Sequence, residues 1–167
     1  AAAIAAASSD VIEHPAAHGR EHSLELQMPF VAHLLPGVPI VPLVMGRQNR
    51  ATAFALGEAL AAVIAEVEGR PRGELSGPPG TDGRILLVAS SDLSHYHDAR
   101  TAAAMDSVVL RRVEQLDADG LMQALERDPH HACGGGPLVS VIDASTQLGS
   151  TRAQVLRYAD SGDISGD

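Results

Sequence analysis

Apolar positions along this chain follow two patterns, and the change from one to the other marks out its elements. Residues 51–68 carry Leu56, Leu60, Val63, Ile64 and Val67 as one stripe at three- and four-residue spacing, which predicts an amphipathic helix. Leu24, Gln27, Met28, Val31, Leu34 and Leu35 repeat that spacing, so a helix is expected with Ser23 as its N-cap and a kink or break at Pro29. Residues 1–7 also read as helix, ended by Ser8-Ser9-Asp10. Asp98 is placed to cap a helix through Met105, Val109 and Val113, and a short helix follows over 121–125. Pro137 suits the first position of a helix with Leu138, Val141, Ile142, Ser145 and Leu148, stopped by Gly149.

The second pattern is the continuous apolar run. Residues 38–45, 85–89 and 153–159 read as strands, the first demoted to an edge or an irregular pairing by Pro39 and Pro42. Residues 69–83, with five Gly and three Pro, read as a flexible surface loop inside one domain. Strands alternating with helices predict an α/β fold with a mainly parallel sheet.

Composition narrows this picture. A chain of 167 residues suits one domain, and its 45% apolar content is enough for a core. That core must be aliphatic, because there is no Trp and only two Phe and two Tyr. A net charge of -9 counts against a nucleic-acid surface. No apolar run approaches the ~20 residues of a membrane span. The single cysteine excludes an intrachain disulfide, so nothing implies an oxidising compartment and a cytoplasmic location is expected. The opening Ala-Ala-Ala-Ile-Ala-Ala-Ala and the closing Ser-Gly-Asp-Ile-Ser-Gly-Asp both read as interior pieces of a longer protein.

Candidate chemistry gathers where these runs end. Residues 85–89 lead directly into Ser90-Ser91-Asp92-Leu93-Ser94-His95-Tyr96, and ligands of α/β proteins bind beyond the carboxyl ends of strands. Asp92 and His95 suit general acid/base work; the plainer reading is that Asp92 and Ser94 cap the next turn. Cys133 precedes a helix start and three glycines, where the helix dipole suits an anionic sulfur and a ligand can approach the backbone. Its chemistry would be metal ligation or nucleophilic attack, against the commoner fate of an inert buried cysteine. Glu21 and His22 could supply a ligand or an acid/base pair, or be a solvated loop. His130 and His131 suggest a metal tract by composition alone. No Walker A, G-x-G-x-x-G, H-E-x-x-H or C-x-x-C motif is present, and the Cys and His spacing fits no local zinc motif.

Five segments taken together resemble the Memo family, whose bacterial and archaeal members are called AmmeMemoRadiSam system protein B. They are Glu-His-Ser-Leu-Glu-Leu-Gln-Met-Pro-Phe (21–30), Ile-Val-Pro-Leu-Val-Met-Gly (40–46), Ser-Ser-Asp-Leu-Ser-His-Tyr (90–96), Cys-Gly-Gly-Gly-Pro (133–137) and Tyr-Ala-Asp-Ser-Gly-Asp-Ile-Ser-Gly-Asp (158–167). The resemblance nearly spans the chain. It implies a fold similar to class III (LigB-like) extradiol dioxygenases: a three-layer α/β sandwich around a mostly parallel sheet, with a non-haem iron or copper site. Cys133 matches the family's cysteine metal ligand, His95 the counterpart of the dioxygenases' acid/base histidine, and Asp92 its neighbouring aspartate. Glu21 and His22 match a Glu-His-Ser motif lining the site. The family's two histidine ligands, in motifs like Pro-His-Ala-Gly-Tyr and Gly-Pro-x-His, have no match in this sequence. The chain therefore resembles the C-terminal part of a Memo-type protein, a single domain truncated at both ends with an incomplete metal site.

Two functions remain open on these grounds. One is a metal-dependent oxidoreductase of dioxygenase or other redox type acting on a small molecule. The other is a non-catalytic adaptor holding a ligand or peptide in the same pocket. The family's name also implies a functional link to a radical-SAM protein.

Overall fold

Helices carry the fold wherever the sequence showed a three- to four-residue period. The structure is a computed structural model and describes residues 1–19, 21–69 and 85–166. Its α-helices are α1 (Ala2–Ala7), α2 (Ser23–Leu34), α3 (Arg50–Val67), α4 (Ala99–Glu114), α5 (Ala118–Arg127), α6 (Gly135–Gln147) and α7 (Gly162–Ser165). Single 3-10 turns occupy Pro15–His18 and Pro129–His131. Helix α3 packs along α6, α5 lies against α6, α4 against α5, and α1 against α3.

Local chemistry sets the helix ends. The Asn49 side chain accepts the Thr52 N–H at 2.9 Å and starts α3. Asp98 caps α4 by accepting the N–H groups of Arg100 and Thr101, each at 3.1 Å. Helix α2 starts differently from expectation. Ser23 is its first helical residue rather than its cap, and the Glu21 carboxylate takes the free Ser23 N–H at 2.8 Å. Pro29 lies inside α2 without ending it. Helix α6 begins at Gly135, two residues before Pro137, which still places the proline where no intrahelical N–H bond is lost.

Two aliphatic clusters form the core. Val109, Leu121, Met122, Leu125, Val139 and Ile142 join α4, α5 and α6, while Ile4, Leu60, Ile64 and Leu148 join α1, α3 and the end of α6. Between them α3 and α6 approach closely because small residues face the contact. Ala53, Ala61, Ser140 and Ala144 are fully buried, and the Ser140 hydroxyl donates to the Ala53 carbonyl at 2.7 Å. A Cβ on Gly57 would lie 2.5 Å from Asp143 Oδ2 and 3.1 Å from the Ser140 carbonyl oxygen. Of the stripe predicted for this helix, Leu60 and Ile64 are buried and Leu56 and Val63 pack against the same cluster, but Val67 is 63% exposed.

The expected sheet is overturned. No strand or bridge is present among the described residues, so the three-layer α/β sandwich with a mostly parallel sheet is not the architecture observed. Residues 38–45, 85–89 and 153–159 run as irregular chain. Leu86, Val88 and Leu156 are 60, 65 and 89% exposed. An apolar run records that a segment favours burial; it does not supply a neighbouring backbone with which to form a ladder. These three segments have no such neighbour among the described residues. Of the loop expected at 69–83, residues 70–83 lie outside the described chain.

Candidate metal centre

Two chain segments, 90–96 and 132–136, are tied together to make the site. The Cys133 N–H donates to the Asp92 carbonyl at 3.2 Å, and the Asp92 N–H donates back to Cys133 Sγ at 3.2 Å. The Gly134 N–H donates to Ser91 Oγ at 2.9 Å, and that hydroxyl donates to the Asp92 carbonyl at 2.7 Å. The reciprocal bonds fix the sulfur against the 90–96 segment although the two are some forty residues apart in sequence.

The three glycines after Cys133 are three separate close approaches. A Cβ at Gly134 would sit 2.5 Å from the Ser90 carbonyl oxygen. One at Gly135 would meet the Leu125 side chain at 2.6 Å, and one at Gly136 the Met45 sulfur at 2.5 Å. Gln48 closes the same turn from another side. Its amide donates to the Cys133 carbonyl at 2.8 Å and accepts the Gly136 N–H at 2.8 Å. The backbone on either side of Cys133 is thus packed: Ala132 and Gly134 are buried while Cys133 itself is exposed. Cys133 is therefore not the buried cysteine that composition favours.

The 90–96 segment alternates in the same way. Leu93 packs against the α4–α5–α6 cluster, and the Ser94 N–H donates to the buried carboxylate of Asp106 at 2.9 Å. Those two inward anchors leave Asp92 and His95 facing out, toward the sulfur. One carboxylate oxygen of Asp92, one ring nitrogen of His95 and Cys133 Sγ all lie within 4.8 Å of one another, and all three residues are exposed. Tyr96 follows with φ of 61°, a left-handed conformation that a tyrosine rarely adopts, and its ring lies 5.8 Å from that of His95.

The chemistry of this donor set fits a transition-metal ion. Thiolate and imidazole are the usual ligands of zinc, copper and iron, a carboxylate can complete or flank them, and donors this close together can share one ion. The N–H donated to Cys133 Sγ is a bond of the sort that orients a ligand sulfur.

The remaining candidates are not among these three donors. Glu21 and His22 line an open hollow of about 320 Å³ with His18, Glu25 and Met28, a hollow that includes none of Asp92, His95 and Cys133. The Ser23 backbone N–H holds the Glu21 carboxyl below its usual range. Helix α2 is nevertheless tied to the site segment: Ser90 Oγ donates to the Ser23 carbonyl and accepts from the Gln27 amide, each at 3.2 Å. His130 pairs with the Asp128 carboxylate at 2.9 Å and lies outside the three-residue group, so the His130-His131 tract does not join it.

Sequence reasoning missed Gln48, Ser91, Asp106 and Tyr158. Asp106, only 4% exposed, accepts the Tyr158 hydroxyl at 2.8 Å through its second oxygen. Burial and the neighbouring Asp106 carboxylate push the Tyr158 hydroxyl up to about 12, so it stays a protonated donor at neutral pH. One signal was available: Ala102, Asp106, Val109 and Val113 share a helical spacing, which puts a carboxylate on the buried face of α4.

The family model described as "Memo-like protein" matches residues 2–167. A MEMO1 family protein of Methanosarcina mazei is 38% identical over 151 residues, covering 90% of this chain and 51% of its own length. One from Caldivirga maquilingensis is 35% identical over 163 residues, covering 98% of this chain and 53% of its own. A third, from Thermotoga maritima, is 34% identical over 150 residues, covering 90% and 47%. This chain spans about half the length of the curated relatives it matches. No solved structure matches it. The matched range takes in every segment that builds the site, and the chain belongs to the Memo-like family.

Proposed function

We propose that Asp92, His95 and Cys133 are this chain's share of a non-haem iron or copper centre in an oxidoreductase. The observation that carries this reading is the convergence of a carboxylate, an imidazole and an exposed thiol, with donor atoms within 4.8 Å, on a backbone locked by reciprocal hydrogen bonds. Cys133 would hold the ion. His95 would move a proton to or from a substrate beside it, and Asp92 would orient that imidazole. The ion, when bound, supplies Lewis-acid or one-electron redox chemistry to a small-molecule substrate. The exposed thiol suits a reducing, cytoplasmic setting. Family membership supports the reading, and the whole protein's substrate and any radical-SAM partner belong to the same proposal.

The exposure of all three residues favours a second reading, a binding protein that holds a ligand or peptide on this face without turnover. Catalytic centres usually exclude water, and the described residues do not enclose this one.

Metal analysis separates these cases. In the complete protein, Cys133→Ala should abolish stoichiometric iron or copper, and His95→Ala should keep the metal while lowering turnover by ~10²–10⁴-fold. Unchanged metal content in Cys133→Ala would overturn the metal-centre reading. Full metal loading with no oxygen consumption across catechol and thiol substrates would move the assignment to a binding protein. No helix among the described residues is long and apolar enough to cross a membrane.

A further inference from the structure

We infer that Asp106 is a positioning residue for the Asp92–His95–Cys133 group, and that Tyr158 holds it in place from the far end of the chain. The inference rests on the proposed metal centre for its purpose but on separate contacts for its geometry. Asp106 stands on α4, is 96% withdrawn from solvent, and has both oxygens engaged by different parts of the chain. Oδ1 accepts the backbone N–H of Ser94 at 2.9 Å, and Oδ2 accepts the Tyr158 hydroxyl at 2.8 Å. A buried carboxylate needs such partners, because an unsatisfied one is costly to keep from water.

The placement of the Ser94 bond gives it leverage. Ser94 lies between Asp92 and His95, so the carboxylate grips the short backbone segment from which both site side chains project. Leu93 anchors the same segment to the core, but an aliphatic contact fixes depth better than rotation. A directional hydrogen bond fixes the peptide plane. Rotation of that plane would carry His95 away from Cys133 and would also strain the bond from the Asp92 N–H to the sulfur. Tyr158 completes the device: its hydroxyl constrains the carboxylate so that Oδ1 stays aimed at Ser94. A residue some fifty positions later in the chain, in a segment with no helix or strand of its own, is thereby coupled to the centre.

The test uses Asp106→Ala, Asp106→Asn and Tyr158→Phe in the complete protein that contains this chain, with two readouts. Amide hydrogen exchange at Ser94 needs no metal. It should accelerate at least about tenfold in Asp106→Ala, while amides of the α3–α6 core keep wild-type protection. Asp106→Asn retains an oxygen acceptor for Ser94 and should restore most of that protection. The second readout is cobalt(II) titration followed by the thiolate-to-cobalt absorption band that depends on Cys133. Apparent affinity should fall by ~10–100-fold in Asp106→Ala, with a changed cobalt d–d envelope, and should recover in Asp106→Asn. Tyr158→Phe should move both readouts in the same direction by a smaller factor, and it carries the test if Asp106→Ala does not fold. Wild-type Ser94 exchange in folded Asp106→Ala, or in Tyr158→Phe should the former not fold, overturns the positioning role. A complete wild-type protein with no Cys133-dependent cobalt band would overturn the metal centre instead, and Ser94 exchange would still decide the role of Asp106.

Discussion

Helix α3 and the segment 85–89 are both rich in aliphatic side chains, yet they are covered to different extents. Along α3, Ala53, Leu60, Ala61 and Ile64 are buried, with α6 drawn so close that Gly57 has no room for a methyl group. Along 85–89, Leu87 packs against the α1–α3–α6 cluster, but Leu86 and Val88 stay more than half exposed. The difference lies in what each element can complete alone. A helix satisfies its own backbone hydrogen bonds, so it needs only a complementary face to pack against. A strand satisfies its backbone through a neighbour, and an aliphatic sequence does not provide one. Hydrophobicity is therefore a statement about preference, and packing decides which preferences are met.

Three substitutions sharpen this contrast. The largest effect is expected at Leu121, fully buried between α4, α5 and α6. Leu121→Ala should cost about 2–5 kcal/mol in urea unfolding, because the closely packed surroundings leave a cavity behind. A cost near that of a surface change would mean that this cluster is not the core. Asp98→Ala should cost about 1 kcal/mol, since it removes the acceptor for two free N–H groups at the start of α4. Thermal or urea unfolding would register the loss, and Asp98→Asn should keep most of the cap. Leu86→Ala, on the exposed segment, should change stability by less than about 0.5 kcal/mol. If Leu86→Ala instead destabilised the protein as much as Leu121→Ala, the Leu86 face of the 85–89 segment would be covered in solution and the contrast would fail.

The site shows the same division at finer scale. Asp92, His95 and Cys133 could be picked out from residue type and from their position after an apolar run and before a helix. Their meeting depends on contacts made by residues with no chemical signature: the Ser91 hydroxyl, the Gln48 amide and three glycines that admit Ser90, Leu125 and Met45. Glu21 and His22 line an open hollow beside the start of α2, and Ser23 and Gln27 of the same segment bond to Ser90.

The sequence by itself determined where the longer helices lie, because their period is local, although the start of α2 and its passage through Pro29 depart from the local signals. Asp98 before α4 and the Leu121 stripe of α5 could be read without knowing any neighbour. It also determined the family, since ordered motifs survive where overall identity is modest. Only the tertiary structure decided which apolar segments are covered, whether any of them pair, and which titratable groups share a site. Those outcomes depend on contacts between residues dozens of positions apart. Asp106 shows the physical reason most directly: a buried carboxylate must find donors, and its donors, Ser94 and Tyr158, are brought to it by the fold rather than by spacing.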